Sequence, residues 1–234
     1  MKKNMLNKEK IYRNEYKYLI NNIQMKILCN RIKNLFHLDK NIRYSAYNVK
    51  SLYFDNYHND AFYDNENSIN PRKKYRIRIY NNNPSIINLE LKHKIIFKTL
   101  KEKCSLNIEL AKKLISGSYP KKEERTNKLL LDITEKILVE KLKPVIITIY
   151  DRIPYVYNYG NIRVTFDTNF SSSNYISDFF NNNIAKRPVL PTGMILMEIK
   201  FDNYMPDIVY NVLQLGELDR VTFSKFYFAR NYNL

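Results

Sequence analysis

The chain has 234 residues, 44% hydrophobic and 14% aromatic, enough for a packed core and too many for a disordered polymer. Its net charge of +16 points to an anionic partner, and four glycines with no G-x-G-x-x-G or Walker sequence exclude a glycine-rich nucleotide loop. No run of about 18 apolar residues offers a transmembrane helix, and the basic start "MKKNMLNKEK" precedes no continuous apolar stretch, so no signal peptide is expected.

In chain order, "IYRNEYKYLI" (11–20) alternates Arg13, Glu15 and Lys17 with other residues and reads as a short strand. Ile23, Ile27, Ile32 and Leu35 recur near helical spacing and predict a helix from Asn22 to Phe36. "AYNVKSLYFDN" predicts a strand from Tyr47 to Asp55, with Asp55 as a turn former, and "DAFYDNEN" a short helical turn. Three strands follow, "KKYRIRIY" (73–80), "IINLELKHK" (86–94) and "IIFKTLKEKCSL" (95–106), the first two joined by a hairpin loop "NNNPS". Helices fit "NIELAKKLISG" and "EERTNKLLLDITEKILVEKL"; in the second, Leu129, Ile133, Ile137 and Leu138 share one side, and Pro144 stops it. "PVIITIYDRIPYVY", "NIRVTFDTN" and "MILMEIKF" return to strand, and the polar stretch 169–192 reads as a loop. Pro206 opens a helix to Leu215, and "VTFSKFYFA" closes the chain. No repeat or compositional break appears, so residues 1–234 are expected to form one domain. Cys29 and Cys104 form neither a metal-ligand spacing nor a disulfide framework, which predicts a reducing, cytoplasmic setting. His37, His58 and His93 are scattered and suggest no nucleophile or zinc site.

The strand faces carry the chemistry. Residues two apart on a strand share a face. Lys74, Arg76 and Arg78 alternate with Tyr75, Ile77 and Ile79; Glu90, Lys92 and Lys94 with Leu89 and Leu91. Tyr150 with Arg152, then Arg163, Thr165 and Asp167, then Glu198 with Lys200 repeat the pattern. On any one strand such a face is ordinarily solvated. As a set, these faces are rich in Arg and Lys with a few carboxylates, and the apolar faces opposite could pack under the predicted helices. A closed barrel places the polar face in its lumen. A lumen of about ten cations with three or four carboxylates is costly to enclose unless a polyanion fills it. Phosphoryl transfer suits it, since that chemistry rests on positioning and charge neutralisation. The carboxylates sharing these faces would repel a nucleic-acid backbone, so no nucleic acid is expected as partner.

These segments resemble the polyphosphate polymerase (VTC) domain of the CYTH-like triphosphate tunnel superfamily. "RNEYKYLI", "VKSLYFDN", "KKYRIRIY", "NLELKHK", "IYDRIPY", "NIRVTFDT", "LMEIKF" and "FSKF" carry the resemblance in the family's order over nearly the whole chain. It implies an α+β fold: an eight-stranded antiparallel tunnel with helices around it. The implied activity is extension of polyphosphate from the terminal phosphate of ATP with Mn²⁺ or Mg²⁺; a triphosphatase or a non-catalytic polyphosphate binder are the alternatives. By motif position, Arg76, Arg78, Arg152 and Lys200 would be catalytic. Lys17, Lys92, Lys98, Tyr150, Arg163, Ser224 and Lys225 would hold phosphates. Glu198 would be the metal ligand, with Glu15 and Glu90 as further candidates. The sequence departs from the family just before "FSKF", where Thr222 and, two residues further back, Arg220 stand.

Overall fold

The structure, a computed structural model, describes residues 12–39, 46–96, 98–125 and 127–232. The N-terminal segment in which no signal peptide is expected lies outside the described residues. Among these, the strands are β1 (Arg13–Asn21), β2 (His37–Leu38), β3 (Tyr47–Asp55), β4 (Arg72–Tyr80), β5 (Asn83–Ile95), β6 (Lys98–Leu106), β7 (Lys143–Tyr157), β8 (Ile162–Ser173), β9 (Arg187–Pro188) and β10 (Met194–Phe201). The helices are α1 (Asn22–Ile32), α2 (Asp60–Glu66), α3 (Ile108–Ile115), α4 (Lys128–Val139), α5 (Asp207–Val212) and α6 (Lys225–Asn231).

The strands form one antiparallel sheet in the order β2-β7-β3-β4-β5-β6-β1-β10-β8-β9, and β7 also pairs with β8. That last pairing closes the eight long strands into a barrel, the architecture expected from the sequence. Alternation decides which face goes where. The outward residues of β3 to β5, among them Leu52, Tyr75, Ile77, Leu89 and Leu91, are buried with Leu114 of α3 and Leu129 and Ile133 of α4. Those of β1, β8 and β10, among them Ile20, Val164, Phe166 and Ile199, are buried with Leu28 and Ile32 of α1 and Val209 of α5. Each fully buried Leu or Ile contributes about 1.5–3 kcal/mol, so these outer layers hold the charged faces inward. The C-terminal segment completes the wall. β1 pairs with β6 only at Arg13 and Asn14, and further along β1 Tyr18 bridges to Arg220 while Val221 N–H donates to the Lys17 carbonyl at 2.9 Å.

Several boundaries differ from the sequence expectation. α1 stops at Ile32, with a capping box between Asn21 and Gln24 at its start. Ile23 and Ile27 are exposed, because the face that meets the barrel is the one bearing Leu28 and Ile32. The hairpin turn after β4 is two residues long rather than five: Asn81 and Asn82 both have positive φ, which asparagine tolerates and a tight hairpin requires. The long helix expected over 123–142 begins at Lys128, capped by the Asn127 side chain, after a separate 3-10 turn at Lys122–Glu124. The stretch read as a loop contains real strand: Ser171, Ser172 and Ser173 are buried and pair with β7 beyond a positive-φ residue at Asn169. Their ladder hydrogen bonds satisfy the backbone, so side-chain polarity concealed the strand. The helix after Pro206 ends at Val212.

Asp55 is the turn former that its position suggests. Its carboxylate accepts backbone N–H groups from Asn56 (2.9 Å), Ala61 (2.9 Å) and Phe62 (3.1 Å), which ties β3 to the start of α2. Asp55→Ala leaves those donors unmatched and is expected to lower unfolding stability by about 2 kcal/mol, read as a lower urea midpoint.

Candidate active site

The lumen is built from the inward faces of six strands, among them β3 with Tyr53, and from α2 and the C-terminal segment. β1 supplies Glu15 and Lys17; β4 supplies Arg72, Lys74, Arg76 and Arg78; β5 supplies Lys92 and Lys94. β7 supplies Tyr150 and Arg152, β10 Glu198 and Lys200, and the C-terminal segment Ser224 and Lys225. Among the described residues, ten cations and two carboxylates line a free space of about 100 Å³.

The carboxylates are shared among cations. Glu15 pairs with Lys17 at 2.8 Å and with Lys92 at 3.0 Å, and Lys17 also donates to the Phe223 carbonyl at 2.6 Å. Asp167 accepts two hydrogen bonds from Arg152, at 2.6 and 2.7 Å, and pairs with Lys225 at 2.7 Å. Glu198 lies 3.3 Å from Arg152 and 3.5 Å from Lys200. Tyr150 sits between these groups: its hydroxyl accepts from Arg78 at 3.2 Å, and Lys225 and Arg152 lie over its ring.

Burial and charge oppose each other here, and charge wins at the acids. Burial and Glu198 push the Glu15 carboxyl upward, but Lys17, Lys92 and Lys200 outweigh them and hold it at about 2. Glu198 is likewise raised by burial yet held well below the usual carboxylate range by Lys200, Lys225, Lys17 and Arg152. The lysines move the other way. Burial lowers Lys200 to about 7 in spite of Glu198 and Glu15, and burial with Arg72, Lys17 and Lys92 lowers Lys94 to about 8. Lys74, which donates to Asn65 at 2.6 Å and Ser224 at 3.0 Å, is depressed by burial and by four neighbouring cations. The lumen thus holds more cations than its own carboxylates balance.

Of the residues expected at the site, Lys17, Arg76, Arg78, Lys92, Tyr150, Arg152, Lys200, Ser224, Lys225, Glu198 and Glu15 come together on this lining. Three stand apart. Glu90 is 1% exposed and lies beneath the lining, where Arg76 (2.6 Å), Lys101 (3.1 Å) and Arg78 (3.8 Å) surround it. Three cations occupy its oxygens, which makes it their counterion rather than an open metal ligand. Arg163 is paired with Asp39 at 3.0 Å and donates to the Tyr47 hydroxyl, off the lining. Lys98 opens β6 and is exposed beside Ile95 and Ile96. Residues the sequence reading passed over also line the lumen: Tyr53, whose hydroxyl accepts from Arg76 at 2.9 Å, with Arg72 and Asn65; Lys94 and Thr222, named in the sequence without a role, line it too. Arg72 shares an alternating face with Lys74, Arg76 and Arg78, so period two could have found it, as it did Lys94 and the Arg152 partner Asp167. Asn65 lies on α2 and carried no such signal. Arg220, the cation before "FSKF", stacks on the Tyr16 ring at 3.7 Å, outside the lumen.

Among the described residues no three histidine, cysteine or acidic side chains converge as a metal site. Glu15 and Glu198, on neighbouring strands and close enough to raise each other's proton affinity, fit a different arrangement. Hard divalent cations are commonly held by one or two carboxylates completed by phosphate oxygens and water. Two carboxylates in a cationic lumen match that requirement, with the remaining ligands left to a substrate.

The VTC domain family model matches residues 12–232. The chain belongs to the VTC domain family. No curated protein matches it in sequence. In three dimensions this VTC domain is similar to a candidate adenylate cyclase from Bacillus halodurans, at 15% identity and TM-score 0.53 over 91% of this chain and 95% of that one. It is also similar to a candidate adenylyl cyclase from Hippeastrum, described as having a dominant triphosphatase activity, at 14% identity and TM-score 0.55 over 96% of this chain and 97% of that one. Identities this low make the likeness one of fold, and the fold is the triphosphate tunnel. No described helix is long and apolar enough to cross a membrane.

A polyanion entering the lumen favours the charged form of the depressed lysines. Lys200, largely neutral above its value of about 7, takes up a proton as tripolyphosphate binds at about pH 8 and little at about pH 6, where it is already charged. Calorimetry in buffers of different ionisation heat is expected to show this uptake, with affinity falling as pH rises and the uptake diminished in Lys200→Met.

Proposed function

We propose that this VTC domain is a metal-dependent polyphosphate polymerase, a phosphotransferase acting as one cytoplasmic domain on ATP and inorganic polyphosphate. The observation that carries the reading is the closed barrel lined by ten cations against two carboxylates. A polyphosphate chain carries about one negative charge per phosphate and offsets that surplus along its length. In the reaction, a terminal oxygen of the chain forms a bond to the γ-phosphorus of ATP. The bond from that phosphorus to the bridging oxygen breaks, and ADP leaves with the electron pair.

Arg76, Arg78, Arg152 and Lys200 neutralise charge on the transferring group, and guanidinium forks suit its paired oxygens. Lys17, Lys92, Lys225, Tyr150 and Ser224 hold the flanking phosphates in line. Glu198, with Glu15 beside it, would hold Mn²⁺ or Mg²⁺, and the bound ion would draw charge from the phosphate oxygens. Lys98 and Arg163 are not among the lining residues and have no part in this assignment. A second reading, triphosphate hydrolysis with water as the nucleophile, draws support from the activity described for the Hippeastrum protein.

Incubation with ATP and Mn²⁺ is expected to yield long-chain polyphosphate on a gel, abolished by EDTA. Absence of polymer with every divalent metal tried overturns the polymerase reading, and orthophosphate release without polymer assigns hydrolysis instead. Arg76→Ala combined with Glu90→Gln, so that no buried carboxylate loses its partner, is expected to lower kcat about a hundredfold. Glu198→Gln is expected to weaken the dependence on metal, read as a higher half-saturating Mn²⁺ concentration.

A further inference from the structure

Outside the barrel, a recess of about 430 Å³ lies between β3, the turn after β4 and the segment 182–186. It is on the opposite face of β3 from the lumen, since Lys50 alternates with the inward Ser51 and Tyr53. Two lysines and, among the described residues, no carboxylate line it.

The polar atoms of this recess are poorly matched by the protein. Lys50 is 1% exposed and its ammonium donates to one acceptor, the Asn181 carbonyl, at 2.7 Å. An ammonium has three donors, and enclosing one without a carboxylate is costly. Burial and the nearby charge of Lys186 both lower the proton affinity of Lys50. Asn48 presents the converse. Its Nδ2 donates to Asp151 Oδ1 at 2.9 Å, and because a carboxylate only accepts, the amide orientation is settled. Its Oδ1 is then buried without a donor, and so is Oδ1 of Asn82. Among the described residues, no ion pair joins Lys50 to Asp151, whose two oxygens accept from the Asn48 and Asn169 amides, each at 2.9 Å.

We propose that this recess is a second binding site, for inorganic phosphate in its hydrogen-bearing form. The ammonium groups of Lys50 and Lys186 call for an anion, and the asparagine oxygens call for a donor on the same ligand. Hydrogen phosphate has both: P–O⁻ oxygens to accept from the lysines and a P–OH to donate to an amide oxygen. Sulfate at neutral pH has acceptors only and leaves the amide oxygens unmatched, so the site discriminates between two oxyanions of nearly equal size. The site shares no lining residue with the lumen and stands whichever phosphate reaction the lumen performs.

The test is isothermal titration of inorganic phosphate into the wild-type chain, Lys186→Ala and Asn82→Gly. Lys186 is exposed, and glycine keeps the positive φ of the turn at residue 82, so both variants retain the fold. Each is expected to bind about tenfold more weakly at one site, the loss of a single charge-assisted or amide hydrogen bond. Sulfate in excess is expected to leave that site's phosphate binding in place. Coincident isotherms for wild type and both variants, or displacement by an equal concentration of sulfate, overturn the proposal.

Discussion

The structure depends on the enclosure of mutually repelling cations inside a closed barrel. Arg76, Arg78, Lys92, Arg152, Lys200 and Lys225 all face one narrow lumen. At low effective dielectric such charges repel one another strongly. The chain holds them by sharing its few acids: Glu90 among Arg76, Arg78 and Lys101, Asp167 between Arg152 and Lys225, Glu15 between Lys17 and Lys92. Each acid restrains two or three cations, which is enough to fold the empty tunnel and too little to neutralise it. The unbalanced remainder is what the lumen offers a polyanion.

That arrangement explains the outer layers. An inward polar face leaves the outward face apolar, and an apolar outward face must be covered. α3 and α4 cover β3 to β5, and α1 and α5 cover β1, β8 and β10. Loss of such a helix would expose the barrel's own hydrophobic side, so helices and tunnel are one construction. The C-terminal segment joins the two tasks: its backbone bonds to β1 where β6 diverges, and it carries Ser224 and Lys225 to the lumen.

Much of this was legible in the chain, and unevenly. The strands around Arg76 and Arg78, Lys92, Arg152 and Lys200 showed clean period-two alternation, and there both the element and the inward residues followed. The exceptions have separate causes. Ser171 to Ser173 looked like loop because three consecutive serines leave that end of β8 without an apolar face. Ile23 and Ile27 looked like a buried helix face, but how α1 lies on the barrel placed Leu28 and Ile32 inward instead. Glu90 shares a face with Lys92 and Lys94, yet Arg76 and Lys101 from the strands on either side close over it. Arg163 alternates as expected and is drawn to Asp39, a residue over a hundred positions away in the chain whose nearness no local pattern reports.

The sequence by itself determined the inventory: which strands carry two unlike faces, that those faces are cationic, and the family in whose order they fall. Alternation is a local property of the backbone, with side chains reversing at every residue, so it is written in consecutive letters. Only the tertiary structure decided that the cationic faces look inward, which acids neutralise which cations, and that Lys50, alternating outward from the same strand as Tyr53, ends buried without a counterion. Those outcomes depend on barrel closure, register and the packing of distant segments, where the cost of desolvating a charge is set by what stands opposite it.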